Sequence, residues 1–215
     1  MRIVSIDRPP RKPYYDVTLD KGAVVKLSPE VMALTALRPG QELSDDQLTE
    51  ICDRESRYRA MTAALRLLAY RQRSEREIRD ALRRRSTPED TIETTITQLR
   101  NARFIDDSSF AANYVESRDA ASPRGKRLLA AELAARGIDK PLREQSLGEV
   151  DEESAAYRAA RKRARSLTAL PFPDFQRRLG AYLLRRGFGY AIARHTVQRA
   201  WAEIHPDSPG EYIDE

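Results

Sequence analysis

The feature that most constrains this chain is a register. Ile78 and Leu82, Leu129 and Leu133, and Leu179 and Leu183 are three apolar pairs whose members stand four apart, and Leu82, Leu133 and Leu183 follow one another at intervals of 51 and 50 residues. Ile96, Leu147 and Val197 keep the same intervals. Side chains four apart lie on one face of a helix. Self-similarity at such a period is the mark of tandem helical units, each too small to bury its apolar face alone. Chance register among leucine-rich helices is the competing account, and matching stop signals weigh against it.

The stop signals recur with the leucines. In the middle unit Ser122 is placed to cap a helix and Pro123 to occupy its first turn, while Gly137 can take a left-handed conformation that folds Ile138 back onto Leu133. Downstream, Pro173 opens a helix that Arg186-Gly187-Phe188 closes. Upstream, Ser74 and Glu77 form a capping box, with Arg85-Ser86 where the glycine stop would stand. The flanking helices have their own signals. Met61, Ala64, Leu65 and Leu68 lie at helical spacing, and Thr87-Pro88 precedes Ile92, Ile96 and Leu99. Asp106 is a good N-cap, with Ile105 and Phe110 at the hydrophobic-staple positions of a helix reaching Arg118. A further helix begins near Pro141, and an alanine-rich one follows the acidic join Glu149–Glu153. The last contains Ile192, His195, Val197 and Trp201, with His195 and Trp201 read as packed.

The N-terminal stretch alternates apolar and polar side chains at 2–6, 15–19 and 23–27, with Lys21-Gly22 as a turn, so two or three short strands are expected there. Ser28-Pro29 opens a short helix ended by Pro39-Gly40, and the capping box Ser44–Gln47 opens another along Leu48 and Ile51, whose run Glu50–Glu55 reads as an exposed acidic face. The fold class is therefore all-α: three tandem three-helix repeats in an elongated array, with a short N-terminal β segment. The expected divisions are 1–56 for a β-hairpin and short helices, 57–103, 104–149 and 150–205 for the repeats, and 206–215 for a frayed acidic tail.

Charge narrows the function classes. The 215 residues include 38 Lys and Arg against 33 Asp and Glu, a net charge of +5, and the positive side is mostly arginine. Arginine's planar fork suits phosphates and carboxylates, so the partner is expected to be anionic: nucleic acid, or an acidic protein groove. Cys52 stands alone, which excludes an internal disulfide and fits a reducing compartment. No apolar run approaches a membrane span, so a cytoplasmic protein without membrane contact is expected. Catalysis has no foothold. Gly125-Lys126 lacks the earlier glycine and the strand of a phosphate loop, and His195, His205 and Cys52 lack metal-site spacing. The Asp106-Asp107 pair reads as a helix start. No catalytic residue, metal or cofactor is expected.

What remains is a set of basic side chains. Between Arg71 and Arg85 lie seven arginines against three acids, and Arg76, Arg79 and Arg83 share one flank of the predicted helix. They form either a basic stripe or a solvated face laced with pairs to Glu75, Glu77 and Asp80. Arg124, Lys126 and Arg127 open the middle unit's helix. Arg161, Lys162, Arg163, Arg177, Arg178, Arg185 and Arg186 make the last unit the most basic. Arg8, Arg11 and Lys12 lie on the N-terminal loop, where a solvated role is the simpler account.

Arg71-x-Arg-Ser-Glu, then Phe104-Ile-Asp-Asp-x-x-Phe-Ala, then Arg136-Gly-Ile make the chain resemble the RecX family, the regulators of the RecA recombinase. The likeness covers about residues 14–200, and Tyr15-x-Val-x-Leu-Asp-x-Gly22 resembles the β extension of longer members. In the third unit Asp151-Glu-Glu replaces Phe-Ile-Asp-Asp, so the likeness there rests on the middle helix. The resemblance implies a non-enzymatic protein of three three-helix repeats. It would bind along the RecA–single-stranded DNA filament and suppress ATP hydrolysis, strand exchange and support of LexA cleavage. The family motifs read here as caps, stops and core, so the binding candidates remain the basic residues above. A monomer is expected, with DNA itself as a further partner. The alternative is a free-standing DNA-binding protein with helix-turn-helix-like corners.

Overall fold

The computed structural model describes residues 1–206 in two compact units, Met1–Ile105 and the chain from Asp106 onward. From 207 on, the expected frayed tail lies outside the described residues.

The first unit begins with strands β1 (Ile3–Asp7), β2 (Tyr15–Leu19) and β3 (Val24–Leu27), antiparallel and in chain order. Ile6 pairs with Val17, and Val17 with Val25. Ser28 caps α1 (Pro29–Thr35). Then come α2 (Asp45–Tyr70), α3 (Glu75–Arg83) and α4 (Glu89–Asn101). The capping boxes read at Ser44–Gln47 and Ser74–Glu77 are both formed, each hydroxyl accepting from the third backbone N–H beyond it.

Where two helices are expected between 44 and 70, there is one of 26 residues. The chain between Ser44 and Tyr70 holds neither proline nor glycine, so nothing stops it, and the join expected at 56–57 falls inside α2. One end of α2 packs Ile51 against Ile3, Val17, Leu19, Leu27 and Val31. The other packs Ala60 and Ala64, rather than Leu65, against Ile78, Leu82, Ile92, Ile96 and Leu99. Between the two cores sits Glu55, only 5% exposed and not part of an acidic surface. It accepts from the Ser28 N–H at 2.8 Å, from the Ser28 hydroxyl at 2.9 Å and from the Arg59 guanidinium, which also donates to the Lys26 carbonyl. A buried carboxylate persists only when saturated in this way.

The second unit comprises α5 (Asp107–Ala121), α6 (Lys126–Ala135), α7 (Lys140–Gly148), α8 (Glu152–Ala164), a 3-10 turn (Arg165–Leu167), α9 (Phe172–Arg185) and α10 (Tyr190–Ile204). Phe110, Val115, Leu129, Leu133, Ile138 and Leu147 form one core. Ala155, Ala156, Ala159 and Ala160 of α8 pack on Phe175, Leu179, Leu183, Phe188, Val197 and Trp201 in the other. Trp201 meets Phe172 and Phe175 edge-on. The alanines of α8 let aromatic rings approach the helix closely, which is how the third repeat fills a core without the Phe-Ile-Asp-Asp opening. Ile105 belongs to the first unit's core and Phe110 to the second's. His195, read as packed, is exposed.

The repeat shows most plainly at the stops. Ile138 N–H donates to the Leu133 carbonyl at 3.1 Å and Phe188 N–H to Leu183 at 3.2 Å, with Gly137 and Gly187 left-handed at φ 85° and 86°. In the first unit Thr87 N–H donates to Leu82 at 3.3 Å, and Ser86 takes the left-handed place at φ 57°. These are three Schellman stops on three buried leucines. The predicted start of α6 moves. Ser122 ends α5, donating its N–H to Arg118, and α6 opens at Gly125. The intervening residues are held by the end of α9: Arg186 donates to the Ser122 hydroxyl at 2.7 Å and the Pro123 carbonyl at 3.1 Å, and Gly125 N–H donates to the Arg186 carbonyl at 2.9 Å.

Candidate nucleic-acid interface

The basic candidates divide by what their guanidinium groups already hold. In the first repeat they hold carboxylates. Arg79 donates to both oxygens of Glu93 at 2.7 and 3.0 Å and to Glu75 at 3.0 Å. Arg83 forks onto Glu89 and lies 3.6 Å from Asp80, and Arg76 lies 3.8 Å from Asp80. Hydrogen bonds from Arg79 keep the Glu93 carboxyl below the ordinary carboxylate range, and Arg83 does the same to Glu89. Of the two readings of this flank, the laced one describes α3 and α4.

In the second repeat Lys126 and Arg127 reach across to the third, while Arg124 stays within its own repeat. Arg124 pairs with Glu132, which also accepts from the Tyr114 hydroxyl at 2.9 Å. Lys126 donates its N–H to Glu152 at 3.0 Å, and its ammonium lies 3.5 Å from the Gly148 carbonyl. Arg127 reaches the Leu184 carbonyl at 3.3 Å. Arg186, already bonded to Ser122 and Pro123, lies with its guanidinium 4.9 Å from the Tyr182 ring centre. Of these four only Arg124 pairs with a carboxylate; the side chains of Lys126, Arg127 and Arg186 end on backbone carbonyls and the Ser122 hydroxyl, and so tie helix ends together.

The third repeat differs. Arg161, Lys162, Arg163, Arg178 and Arg185 are exposed and make no ion pair among the described residues. The Arg163 guanidinium lies 3.5 Å from the Ser166 hydroxyl. Arg177 pairs with Asp174 at 2.6 Å but keeps 72% of its side chain exposed, and its hydrogen bond holds the Asp174 carboxyl low. The lysine and arginines at 161–163 occupy the last turn of α8, where cations also suit the helix dipole. Two residues outside the candidate set join this region: Tyr190, 72% exposed in the first turn of α10, and Arg194 one turn later. Both line a hollow with Arg177. Their i, i+4 spacing was a readable signal: an aromatic and a cation at the exposed start of the same helical stripe that continues into Val197 and Trp201.

On the N-terminal loop Arg8, Arg11 and Lys12 are exposed, with Arg8 set 5.5 Å from the Tyr15 ring. Among the described residues no group of three or more His, Cys, Asp and Glu side chains stands together as a metal site would need, and no helix is long and apolar enough to cross a membrane.

Comparison with known proteins agrees with this architecture. Family models described as the first, second and third three-helix domains of RecX match residues 60–99, 106–147 and 151–197. A protein named Regulatory protein RecX from Geobacillus kaustophilus is 35% identical over 76% of this chain, which spans 62% of that relative's length. The protein of the same name from Amycolatopsis mediterranei is 35% identical over 72% of this chain and 90% of its own. A crystal structure of a regulatory protein RecX superposes with a TM-score of 0.67 at 24% identity, covering 91% of this chain and 98% of its own, a likeness of fold. The crystal structure of RecX from Lactobacillus salivarius gives 0.61 at 27% identity over 67% of this chain. The matched domains run in the order of the repeats, and the Schellman stops on Leu82, Leu133 and Leu183 fall one in each: the chain belongs to the RecX family of regulatory proteins.

Proposed function

We propose that this protein is a non-enzymatic, cytoplasmic regulator that acts as a monomer on RecA. It binds the RecA–single-stranded DNA filament and lowers its ATP hydrolysis, strand exchange and support of LexA cleavage. Family membership supports the partner. The observation that carries the binding surface is where the carboxylates stand: Arg79 and Arg83 of the first repeat fork onto Glu93 and Glu89, with Glu75 also on Arg79, whereas among the described residues Lys162, Arg163 and Arg185 of the third have no carboxylate within ion-pair reach, and Arg161 and Arg178 act on Glu203 and Asp174 only from farther off. Exposed cations outside close ion-pair networks are the ones readiest to displace counterions from phosphates, which makes the affinity steeply salt-dependent. The surface is assigned to Arg161, Lys162, Arg163, Arg178 and Arg185, joined by Arg177, whose side chain stays 72% exposed beside Asp174, and the remaining candidates to holding the fold.

Co-sedimentation with RecA–DNA filaments, compared with DNA alone at physiological salt, tests the reading. The protein is expected to pellet with filaments and to slow RecA ATP hydrolysis. Charge reversal at Arg177 and Arg178 is expected to weaken the pelleting severalfold with helicity unchanged. Equal pelleting on bare DNA with RecA turnover untouched would instead indicate the free-standing DNA binder.

A further inference from the structure

Between α9 and α10 lies a hollow of about 270 Å³ with an apolar floor of Gly180, Ala181, Leu184, Ala193 and Val197. Its rim holds Arg177, Arg194 and the exposed ring of Tyr190, and no carboxylate lines it. A Cβ at Gly180 would meet nothing within 4 Å beyond its own helix backbone, so the helix surface is left bare where the hollow opens. An apolar recess the size of a planar ring, with an aromatic platform and two cations at its edge, matches the needs of an unstacked base: a flat surface for the ring, positive charge for the flanking phosphates. We propose that this hollow takes one base of a DNA single strand, stacked against Tyr190, with Arg177 and Arg194 on the adjoining phosphates. The proposal rests on reading the third repeat's arginines as a phosphate-binding face. It adds to that face a site for the base itself, so that the protein grips a single strand in preference to a duplex, whose bases are already stacked.

The test is fluorescence anisotropy of labelled oligo(dT) with the full chain, without RecA. Tyr190→Ala is expected to weaken binding by about 5- to 150-fold, the range of one lost base–aromatic stack. Tyr190→Phe keeps the platform and is expected to bind like the parent. Gly180→Leu fills the hollow while favouring the helix, and is expected to weaken binding comparably. On an oligomer made wholly of abasic sites, the parent and Tyr190→Ala should bind alike. The salt slope should be unchanged in Tyr190→Ala and shallower when Arg177 and Arg178 are reversed. Binding of oligo(dT) unaffected by both Tyr190→Ala and Gly180→Leu overturns the proposal, as does an equal loss on the abasic strand. Tighter binding of oligo(rU) than oligo(dT) overturns the choice of DNA. A Gly180→Leu variant that binds oligo(dT) normally but no longer pellets with filaments assigns the hollow to a protein side chain instead. Loss at Tyr190 without any effect of the arginine reversal sinks the phosphate face alone.

Discussion

Two glycines 62 residues apart, Gly125 and Gly187, stand where the ends of α6 and α9 meet. A Cβ on Gly125 would stand 2.2 Å from the Gly187 carbonyl oxygen and 2.4 Å from the Phe188 nitrogen, while one on Gly187 would stand 2.4 Å from the Leu128 Cβ. Gly187 needs glycine twice over, since its φ of 86° is left-handed. Gly125 has an ordinary φ of −70°, so its requirement is purely one of space. The obstacle is backbone, and backbone does not rotate aside. Gly125→Ala is therefore expected to cost about 1–3 kcal/mol, as overpacking does, read from denaturant unfolding followed by Trp201, the chain's one tryptophan. Gly148→Ala is the control: nothing lies within 4 Å of its added carbon, and it should be neutral or stabilising by up to about 1 kcal/mol. Equal midpoints for the two variants would show that the glycine contact carries no energy. Nothing linear marks Gly125 in this way. Read along the chain, it is one more residue in an expected helix.

Between elements, α3 and α4 are clasped by a carboxylate. Glu75 accepts from Arg100 at 2.7 and 2.8 Å and from Arg79 at 3.0 Å. The Arg100 hydrogen bond, followed by that of Arg79, holds the Glu75 carboxyl below its usual range against the opposing effect of burial. A carboxyl whose folded pKa lies below the unfolded one stabilises fully above the unfolded value, near roughly pH 4.3, and loses that contribution as pH falls through the folded one. Glu75→Gln should cost on the order of 1 kcal/mol at neutral pH, because the clasp is partly solvated. The gap between parent and variant should close below about pH 4. Amide exchange in α3 and α4 across this range measures it, and a gap that persists at low pH would mean that the carboxylate charge is irrelevant to the pairing. The four-apart spacing of Glu75 and Arg79 was legible as a helix pair. The arrival of Arg100, 25 residues on, was not.

At the scale of the molecule, charge at one end of the sequence is not equivalent to charge at the other. Neutralising Arg161, Lys162 and Arg163 together should weaken filament binding and flatten its log–log salt dependence by about 2, given roughly 0.7 per phosphate contact on single strands. Neutralising Arg76 and Arg83 should leave that slope nearly unchanged, and equal slopes for the two variants would remove the distinction between repeats. The sequence by itself determined the repeat, its period, the leucines that each unit buries and the glycine stops behind Leu133 and Leu183, because these rest on helical spacing and on local backbone conformation; that Ser86 takes the same left-handed place behind Leu82 came from the structure. It also determined the small N-terminal sheet, through alternation and one turn. Only the tertiary structure decided that α2 runs unbroken from one core to the next, that Glu55 is buried with Ser28 and Arg59, and that α6 opens at Gly125 against the end of α9. It alone separated arginines that close the fold from arginines that face solvent. The physical reason is common to all of these: spacing reports neighbours within a helix turn, whereas a carboxylate, a carbonyl or a glycine supplied from tens of residues away leaves no periodic trace.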